Sequence, residues 1–152
     1  MRWHTRENSG IRLDRQGRWW HDGAPVEHPR IVEAFNRGLA PNGDGRFRLN
    51  FGGDWCLVEV EDAAYWVQAA VASAEQLTLT LSDGTDEALA PDTLWLEPDG
   101  VLACQVKNGQ AKARFGRQAQ ASLGEHLVEE GGAFALALPG RRVPLPSLKA
   151  MS

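Results

Sequence analysis

The stretch Ile11-Arg12-Leu13-Asp14-Arg15-Gln16-Gly17-Arg18-Trp19-Trp20-His21 decides the fold, because it has a β-hairpin pattern that returns later in the chain. Apolar and polar residues alternate at its start, Gln16-Gly17 is a turn signal, and residues 18–21 are typical of the partner strand. Residues 94–100 repeat the order apolar-x-Leu-acid-x-x-Gly of residues 11–17. This hairpin belongs to a larger repeated unit if the blocks that follow it repeat as well.

Two further blocks do return in the same order. An apolar helical stripe and a second alternating hairpin follow each copy of the first hairpin. The matched positions are Ile31, Phe35 and Leu39 with Ala119, Leu123 and Leu127, and then Phe47, Leu49, Phe51 and Gly53 with Phe134, Leu136, Leu138 and Gly140. Coincidence is the alternative, since alternating hairpins are common in β-rich chains, but three ordered blocks favour duplication.

The repeat predicts an α+β fold in which a hairpin–helix–hairpin motif occurs twice. One copy alone would bury its sheet face poorly, so we expect two packed halves with mostly antiparallel sheets. The predicted boundaries are residues 10–82 for the first half and 93–146 for the second, joined by a polar connection at 83–92. We expect the ends, residues 1–9 and 147–152, to be loosely held.

Within these halves the pattern predicts particular elements. A helix follows Pro29, which suits a first helical position. Further strands are expected at 64–72, 76–81, 101–107 and 111–115, and a second helix at about 118–129.

The bulk composition excludes several classes of function. The chain has 152 residues, 43% of them hydrophobic, and a formal net charge of −4. It lacks the basic footprint that nucleic-acid or membrane-surface binding needs, so we expect neither partner. With no signal-peptide pattern and no apolar run of about 20 residues, a cytoplasmic location is expected. Cys56 and Cys104 lie in apolar strands and are expected to be buried, reduced thiols.

Several short motifs resemble those of the DUF1285 family of uncharacterised bacterial proteins. Residues 17–26 resemble that family's "DGxWxHEGxPI" stretch, residues 43–49 its "DGxYxL", and residues 58–63 its "IxVEDAP". The layout is similar through Val106–Gly109 and Gly132–Phe134, so the resemblance covers about residues 11–138. The chain departs from the family at residues 50–54, where "TPxEK" is expected, and at Ala64, which replaces a proline.

The resemblance implies a duplicated α+β core whose C-terminal half is similar to pleckstrin-homology folds. It also implies a ligand site between the halves, for a nucleotide-like molecule, and a role in signal transduction. It carries no established activity, and it leaves any cofactor unknown.

His21-Asp22 and Glu27-His28 are the residues nearest to a metal-binding set, because imidazole and carboxylate ligands suit zinc or manganese. Their spacing matches no standard zinc pattern, and turn residues with a helix N-terminal cap are the simpler interpretation. No phosphate loop, nucleophile elbow or zinc-protease motif occurs. The sequence therefore assigns no catalytic residue and no metal ligand, and it favours a protein that is not an enzyme.

The six tryptophans and the nearby arginines give the best binding hypothesis. An aromatic floor with an adjacent guanidinium can hold a planar anion by stacking and charge pairing, although plain core packing is the alternative. We expect a non-enzymatic ligand-binding or signalling module with its site between the halves. Its expected residues are Trp20 for stacking, Arg46 and Arg48 for the anion, and His21, Glu61 and Asp62 for orientation.

Two other functions stay open from the sequence. A protein-interaction adaptor could use exposed strand edges, which would also permit a homodimer. A small metal-dependent hydrolase could use His21, Asp22 and His28. The first copy carries most of the Trp, His and Arg residues of interest, so function is expected there rather than in the alanine- and leucine-rich second copy.

Overall fold

A computed structural model of the chain describes residues 5–149. The chain divides between Tyr65 and Trp66 into two units, and each is described by itself. The elements of the first unit are β1 (Ile11–Leu13), β2 (Trp19–His21), β3 (Ala24–Pro25), α1 (Pro29–Gly38), β4 (Leu39–Pro41), β5 (Phe47–Phe51) and β6 (Asp54–Val60).

The second unit is also rich in strands. Its elements are β7 (Tyr65–Ala72), β8 (Leu77–Leu81), β9 (Asp86–Ala88), a short 3-10 helix (Pro91–Thr93), β10 (Trp95–Leu96), β11 (Leu102–Val106), β12 (Ala111–Phe115), α2 (Arg117–Gly124), β13 (Leu127–Glu130), β14 (Ala133–Ala137) and β15 (Arg142–Lys149). Among the described residues, neither helix has the length and apolar character needed to cross a membrane.

The predicted α+β class and the duplicated motif are confirmed. Hairpin β1–β2, helix α1 and hairpin β5–β6 recur in the second unit as β10–β11, α2 and β14–β15. These hairpins are antiparallel, whereas β1 and β6 pair in parallel.

Six strands of the first unit form one sheet in the order β3-β2-β1-β6-β5-β4. Its buried face includes Leu13, Trp19, Leu49 and Cys56. Helix α1 lies against this face, because Phe35 packs edge-to-face on Trp19 with ring centroids 5.2 Å apart. The Trp19 indole Nε1 also donates a 2.8 Å hydrogen bond to the Asn36 side chain, so this buried ring keeps a polar partner.

The end of α1 lies so close to β5 that no side chain fits between them. Gly38 is the last helical residue, and a Cβ built on it would lie 2.2 Å from the Asn50 carbonyl oxygen. A real Cβ cannot approach backbone that closely, so glycine is the residue that this contact permits. Gly124, at the matching end of α2, has open space around its Cα.

Both copies of the motif close their first hairpin with the same turn. The Asp14 amide donates to the Arg18 carbonyl and the Gly17 amide to the Asp14 carbonyl, and residues 97–101 repeat both bonds. Gly17 and Gly100 have φ angles of 84° and 86°, a region that L side chains rarely adopt. This shared turn is the structural signature of the duplication.

The second unit contains a six-stranded sheet, in the order β10-β11-β12-β7-β8-β9, and a three-stranded sheet, in the order β13-β14-β15. Leu77, Leu79 and Leu81 of β8 are buried, as is Leu123 of α2. Cys56 in the first unit and Cys104 in the second are buried, unpaired thiols, as expected, and burial raises the pKa of Cys104 to about 12.

A charged pair links the turn after β8 to the turn after β11. Lys107 Nζ lies 2.6 Å from an Asp83 oxygen, and the Asp83 side chain is only 6% exposed. Burial raises the pKa of Asp83, but hydrogen bonds from Lys107 and Thr85 outweigh burial and hold the pKa below its usual value of 3.8. The carboxylate is therefore ionised in the folded protein and stabilised by its neighbours.

Several element boundaries differ from those expected. Strands β7 and β8 belong to the second unit's sheet rather than to the first half, and the polar connection at 83–92 contains β9. The second helix ends at Gly124 instead of 129, because Leu127 pairs with Leu136 in a strand. The expected strands at 64–72, 76–81, 101–107 and 111–115 are present within a residue or two.

The chain ends also differ from the expectation, as far as they are described. The Arg6 carbonyl accepts a hydrogen bond from the Leu57 amide, and the buried Ser9 hydroxyl donates to the Leu57 carbonyl. Residues 147–149 are part of β15. Residues 5–9 and 147–149 are thus bonded to their units, while residues 1–4 and 150–152 lie outside the described residues.

The two helix-terminal glycines give a matched test of the contact between α1 and its sheet. Gly38→Ala should lower the free energy of unfolding by about 2 kcal/mol or more, because the new Cβ collides with backbone. Gly124→Ala should leave it unchanged or raise it by about 0.5–1 kcal/mol, because alanine is the better helix former. Urea denaturation measures both, and equal effects would contradict the close approach at Gly38.

The Asp83–Lys107 pair predicts a pH dependence of stability. Because the folded pKa of Asp83 lies below 3.8, its stabilisation is present above that value and is lost as the pH falls through the folded pKa. Asp83→Asn should cost about 2 kcal/mol at pH 7 and make the decline in acid shallower. Unfolding curves collected from pH 7 to pH 2.5 measure this, and parallel pH profiles for the two proteins would contradict it.

Candidate functional site

The register of the first sheet places a row of aromatic and basic side chains on the face opposite α1. Arg12 lies opposite Trp20 on one side and Glu59 on the other, and opposed residues share a face. Arg48 lies opposite Leu57 and, by alternation, shares that face with Trp55. We call Arg12, Trp20, Arg46, Arg48 and Trp55 the aromatic–basic face. It unites three of the six predicted site residues, Trp20, Arg46 and Arg48.

At one end of this face, two guanidinium groups approach the ring of Trp55. The Arg48 Cζ lies 4.3 Å from the ring centroid and the Arg6 Cζ 5.1 Å. Arg6 is also paired with Asp54 at 2.8 Å. Arg48 donates from Nε to the Asn50 side-chain oxygen, and no carboxylate of residues 5–149 lies within ion-pair distance of it. Its positive charge is thus held on an aromatic ring without a neutralising partner in the described chain.

At the other end of the face, Arg12 connects Trp20 to the predicted residue Glu61. The Arg12 Cζ lies 5.2 Å from the Trp20 ring centroid, and its Nη1 donates to a Glu61 oxygen at 2.6 Å. The second Glu61 oxygen accepts from the Arg15 amide. The sequence reasoning missed Arg12, although its alternation with Ile11 and Leu13 was the signal that puts it on the polar face beside Trp20.

Asp14 orients the Trp20 ring. Its carboxylate accepts hydrogen bonds from the Trp20 indole Nε1 at 2.8 Å and from the Gln16 and Arg18 amides at 2.9 Å. Burial raises the pKa of Asp14, but these three bonds outweigh it and hold the pKa below its usual value. The ring is therefore anchored by an ionised carboxylate that belongs to the duplicated turn.

A cavity of about 240 Å³ opens between the N-terminal segment and the centre of this sheet. We call it the N-terminal cavity. It is lined by Glu7, Asn8, Ser9, Gly10, Ile11, Arg12, Arg46, Leu57, Val58 and Glu59. The sequence reasoning placed Arg46 in a site but treated residues 7–9 as a loose end, so it missed the wall that they form.

Arg46 enters this cavity as the partner of Asp44. Its Nε and Nη2 donate to one Asp44 oxygen at 2.9 and 2.5 Å, and these bonds hold the pKa of Asp44 at about 2. The pKa of Arg46 is raised, first by Asp44 and to a smaller degree by the charge of Glu7. Arg46 is thus a fixed cation at the cavity, with Glu7 close enough to influence it.

The remaining predicted site residues lie elsewhere. His21 lies opposite Ile11 on the other face of the sheet, with its Nε2 3.6 Å from Asp22. Asp62 follows the end of β6, half-buried. His28 is the N-cap of α1, because its Nδ1 accepts a hydrogen bond from the Arg30 amide. A helix cap is also the simpler interpretation of this region from its sequence. Within residues 5–149, no three His, Cys, Asp or Glu side chains lie together as a metal-binding group.

Comparisons with known proteins identify the fold. No known family's sequence model matches the chain, and the comparison with curated proteins found no match. A crystal structure of a DUF1285 family protein from Silicibacter pomeroyi DSS-3 is similar with a TM-score of 0.65 and 22% identity, over 91% of this chain and 80% of that one.

A second DUF1285 family structure, from Shewanella baltica OS155, is similar with a TM-score of 0.53 and 19% identity, over 72% of this chain and 85% of that one. These identities establish the fold alone. The family resemblance in the sequence is confirmed at that level: this chain has the fold of solved DUF1285 family proteins.

Proposed function

We propose that the chain is a non-enzymatic ligand-binding module with a signalling role, and that the aromatic–basic face of its first unit holds the ligand. The observation that carries this proposal is the position of Arg48 on the ring of Trp55, 4.3 Å from the centroid, without a described carboxylate partner. A guanidinium and an indole in contact offer charge, directed hydrogen bonds and a flat apolar surface in one place.

Arg48 is the arginine of this region best prepared to receive an anion. Arg6, Arg12 and Arg46 are each paired with a carboxylate, namely Asp54, Glu61 and Asp44. An anion that binds to any of these three meets a guanidinium whose charge is already offset by a carboxylate. At Arg48 only Nε is engaged, by a neutral amide oxygen, so its two terminal nitrogens have no hydrogen-bond acceptor among the described residues.

The chemistry of the contact favours a planar anion such as a nucleotide-like molecule. A flat heterocycle can stack on the guanidinium or on the indole, and a phosphate or carboxylate can accept from the terminal nitrogens of Arg48. Both side chains are half-buried, which strengthens a charged hydrogen bond relative to one in open water.

A protein-interaction adaptor is the second candidate, and a different observation supports it. Helix α1 has no fully buried residue, Ile31 is 45% exposed and Phe51 is 48% exposed, all on the first unit. Exposed large apolar side chains are typical of protein contact sites. If this is the function, Ile31→Ser should abolish capture of a partner that Arg48→Ala still binds.

The ligand-binding proposal predicts a specific loss in Arg48→Ala. Mononucleotides and cyclic dinucleotides, screened by thermal shift and then by calorimetry, should include a binder whose affinity falls about tenfold or more in this variant. Arg37→Ala is the control, because Arg37 is an exposed arginine paired with Glu33 on α1. Arg48→Lys should recover little of the affinity that Arg48→Ala loses, since an ammonium group lacks the planar, forked donors of a guanidinium.

Two results would contradict the proposal. One is the absence of any thermal shift across the panel with the wild-type protein. The other is a binder whose affinity is equally reduced in Arg37→Ala and Arg48→Ala, which would mean only a non-specific charge effect.

A further inference from the structure

The N-terminal cavity contains charges of both signs that do not neutralise one another. Arg12 and Arg46 line it together with Glu7 and Glu59. Arg12 lies directly opposite Glu59 in the parallel β1–β6 pair, yet the Arg12 guanidinium forms its ion pair with Glu61. Glu59 is therefore left with a carboxylate that has no hydrogen-bond or ion-pair partner among residues 5–149.

The cationic side of the cavity has hydrogen-bond donors to spare. A guanidinium carries five N–H groups. Arg46 directs Nε and Nη2 to Asp44, and Arg12 directs Nη1 to Glu61. Within the described chain, Nη1 of Arg46 and Nη2 of Arg12 have no acceptor within hydrogen-bond distance. Since Asp44 and Glu61 hold both guanidinium groups in place, a bound carboxylate would meet donors that are already ordered.

The size of the cavity limits what it can hold. Its volume of about 240 Å³ corresponds to about eight water molecules at ~30 Å³ each. This is below the roughly 300–1,000 Å³ of sites for drug-sized ligands. Hydrogen bonds hold the N-terminal segment that forms one wall of the cavity, because the Ser9 hydroxyl donates to the Leu57 carbonyl at 2.6 Å and accepts from the Ile11 amide. A single amino acid fits this space better than a nucleotide does.

We infer that the N-terminal cavity binds a small zwitterion, a free α-amino acid or a close analogue. The ligand's ammonium group faces Glu59 and Glu7, and its carboxylate faces Arg46 and Arg12. The two glutamates repel a phosphate, so this cavity discriminates against the anions proposed for Arg48 and Trp55. Leu57, which shares the cavity face of the sheet with Arg12 and Glu59, provides apolar surface for a short side chain. The inference does not depend on the contact between Arg48 and Trp55.

The test uses the full chain and single amino acids as probes. The twenty common L-amino acids are titrated by ¹H–¹⁵N NMR, and each binder is compared with its amine analogue, which lacks the carboxylate, and its acid analogue, which lacks the ammonium. We expect at least one amino acid to bind, with its signals changing at residues 7–12 and 57–59, and both analogues to bind about tenfold or more weakly.

Two substitutions test which side chain binds the ligand's ammonium group and which binds its carboxylate. Glu59→Gln should lower the affinity for the amino acid about tenfold and leave the affinity for its acid analogue, which lacks the ammonium, unchanged. Arg46→Met should lower the affinity for the amino acid and leave the affinity for its amine analogue, which lacks the carboxylate, unchanged. Glu129→Gln, at an exposed glutamate of the second unit, is the control. Because Glu59 is exposed and has no partner in the described chain, Glu59→Gln is expected to fold normally.

Failure of this inference is distinguishable from failure of the proposed function. It is overturned if no amino acid binds at millimolar concentration, if the acid analogue binds as tightly as the amino acid, or if Glu59→Gln binds like the wild type. Amino-acid binding that survives in Arg48→Ala supports the inference. Loss of nucleotide binding in Arg48→Ala concerns the other site alone.

Discussion

The hydrogen bond between the Asp14 carboxylate and the Trp20 indole connects the fold to the candidate site. The same carboxylate accepts two backbone amides of the turn between β1 and β2, so one ionised group closes the hairpin and orients the ring. In the second copy, Glu97 occupies the matching turn position and accepts the Trp95 indole at 3.0 Å. In both copies, the carboxylate at this turn position accepts a hydrogen bond from a tryptophan indole. The two tryptophans lie on different strands of their hairpins.

The two copies differ in what surrounds this turn. In the second copy, Lys112 is paired with Glu97, and Arg114 with Asp99, and both basic side chains are about one-fifth exposed. Lys112 also lies 5.8 Å from the Trp95 ring centroid, so an aromatic–basic contact exists there too, but its charge is neutralised. In the first copy, Arg12 lies on the Trp20 ring and is likewise paired, with Glu61, whereas Arg48 at the other end of the face has no described carboxylate partner beside Trp55. The first unit therefore has one aromatic–basic contact with an uncompensated charge, and the corresponding contact described in the second unit is neutralised.

Local patterns in the sequence predicted much of this structure. Alternation and turn dipeptides located the hairpins, and the strand register places Trp20 of β2 and Arg48 of β5 on one face of the same sheet. Long-range features escaped the prediction. The parallel pairing of β1 with β6 joins residues almost fifty positions apart, and no local pattern specifies it. The spacing of Leu127 fits the apolar stripe of a helix, but Leu127 is in a strand because it pairs with Leu136 of β14.

The geometry of the candidate site depends on long-range contacts of the same kind. Trp20 and Glu61 meet only through Arg12, and the cavity exists only because residues 6–9 bond to β6 from far away in sequence. Similarity of sequence also did not guarantee similarity of role. Gly53 and Gly140 occupy matching positions, yet a Cβ at Gly140 would lie 2.7 Å from the Ala74 carbonyl oxygen, whereas Gly53 has open space.

The central claim is that ligands act on the first copy's aromatic–basic face and not on its duplicate. Indole N–H signals in ¹H–¹⁵N NMR spectra report this directly, because Trp20, Trp55 and Trp95 each give a separate resonance. On addition of a nucleotide mixture, the account predicts that the Trp55 signal changes most, that Trp20 responds less, and that Trp95 does not respond. A change at Trp95 with Trp20 and Trp55 unaltered, or no change at any of the three, would contradict it.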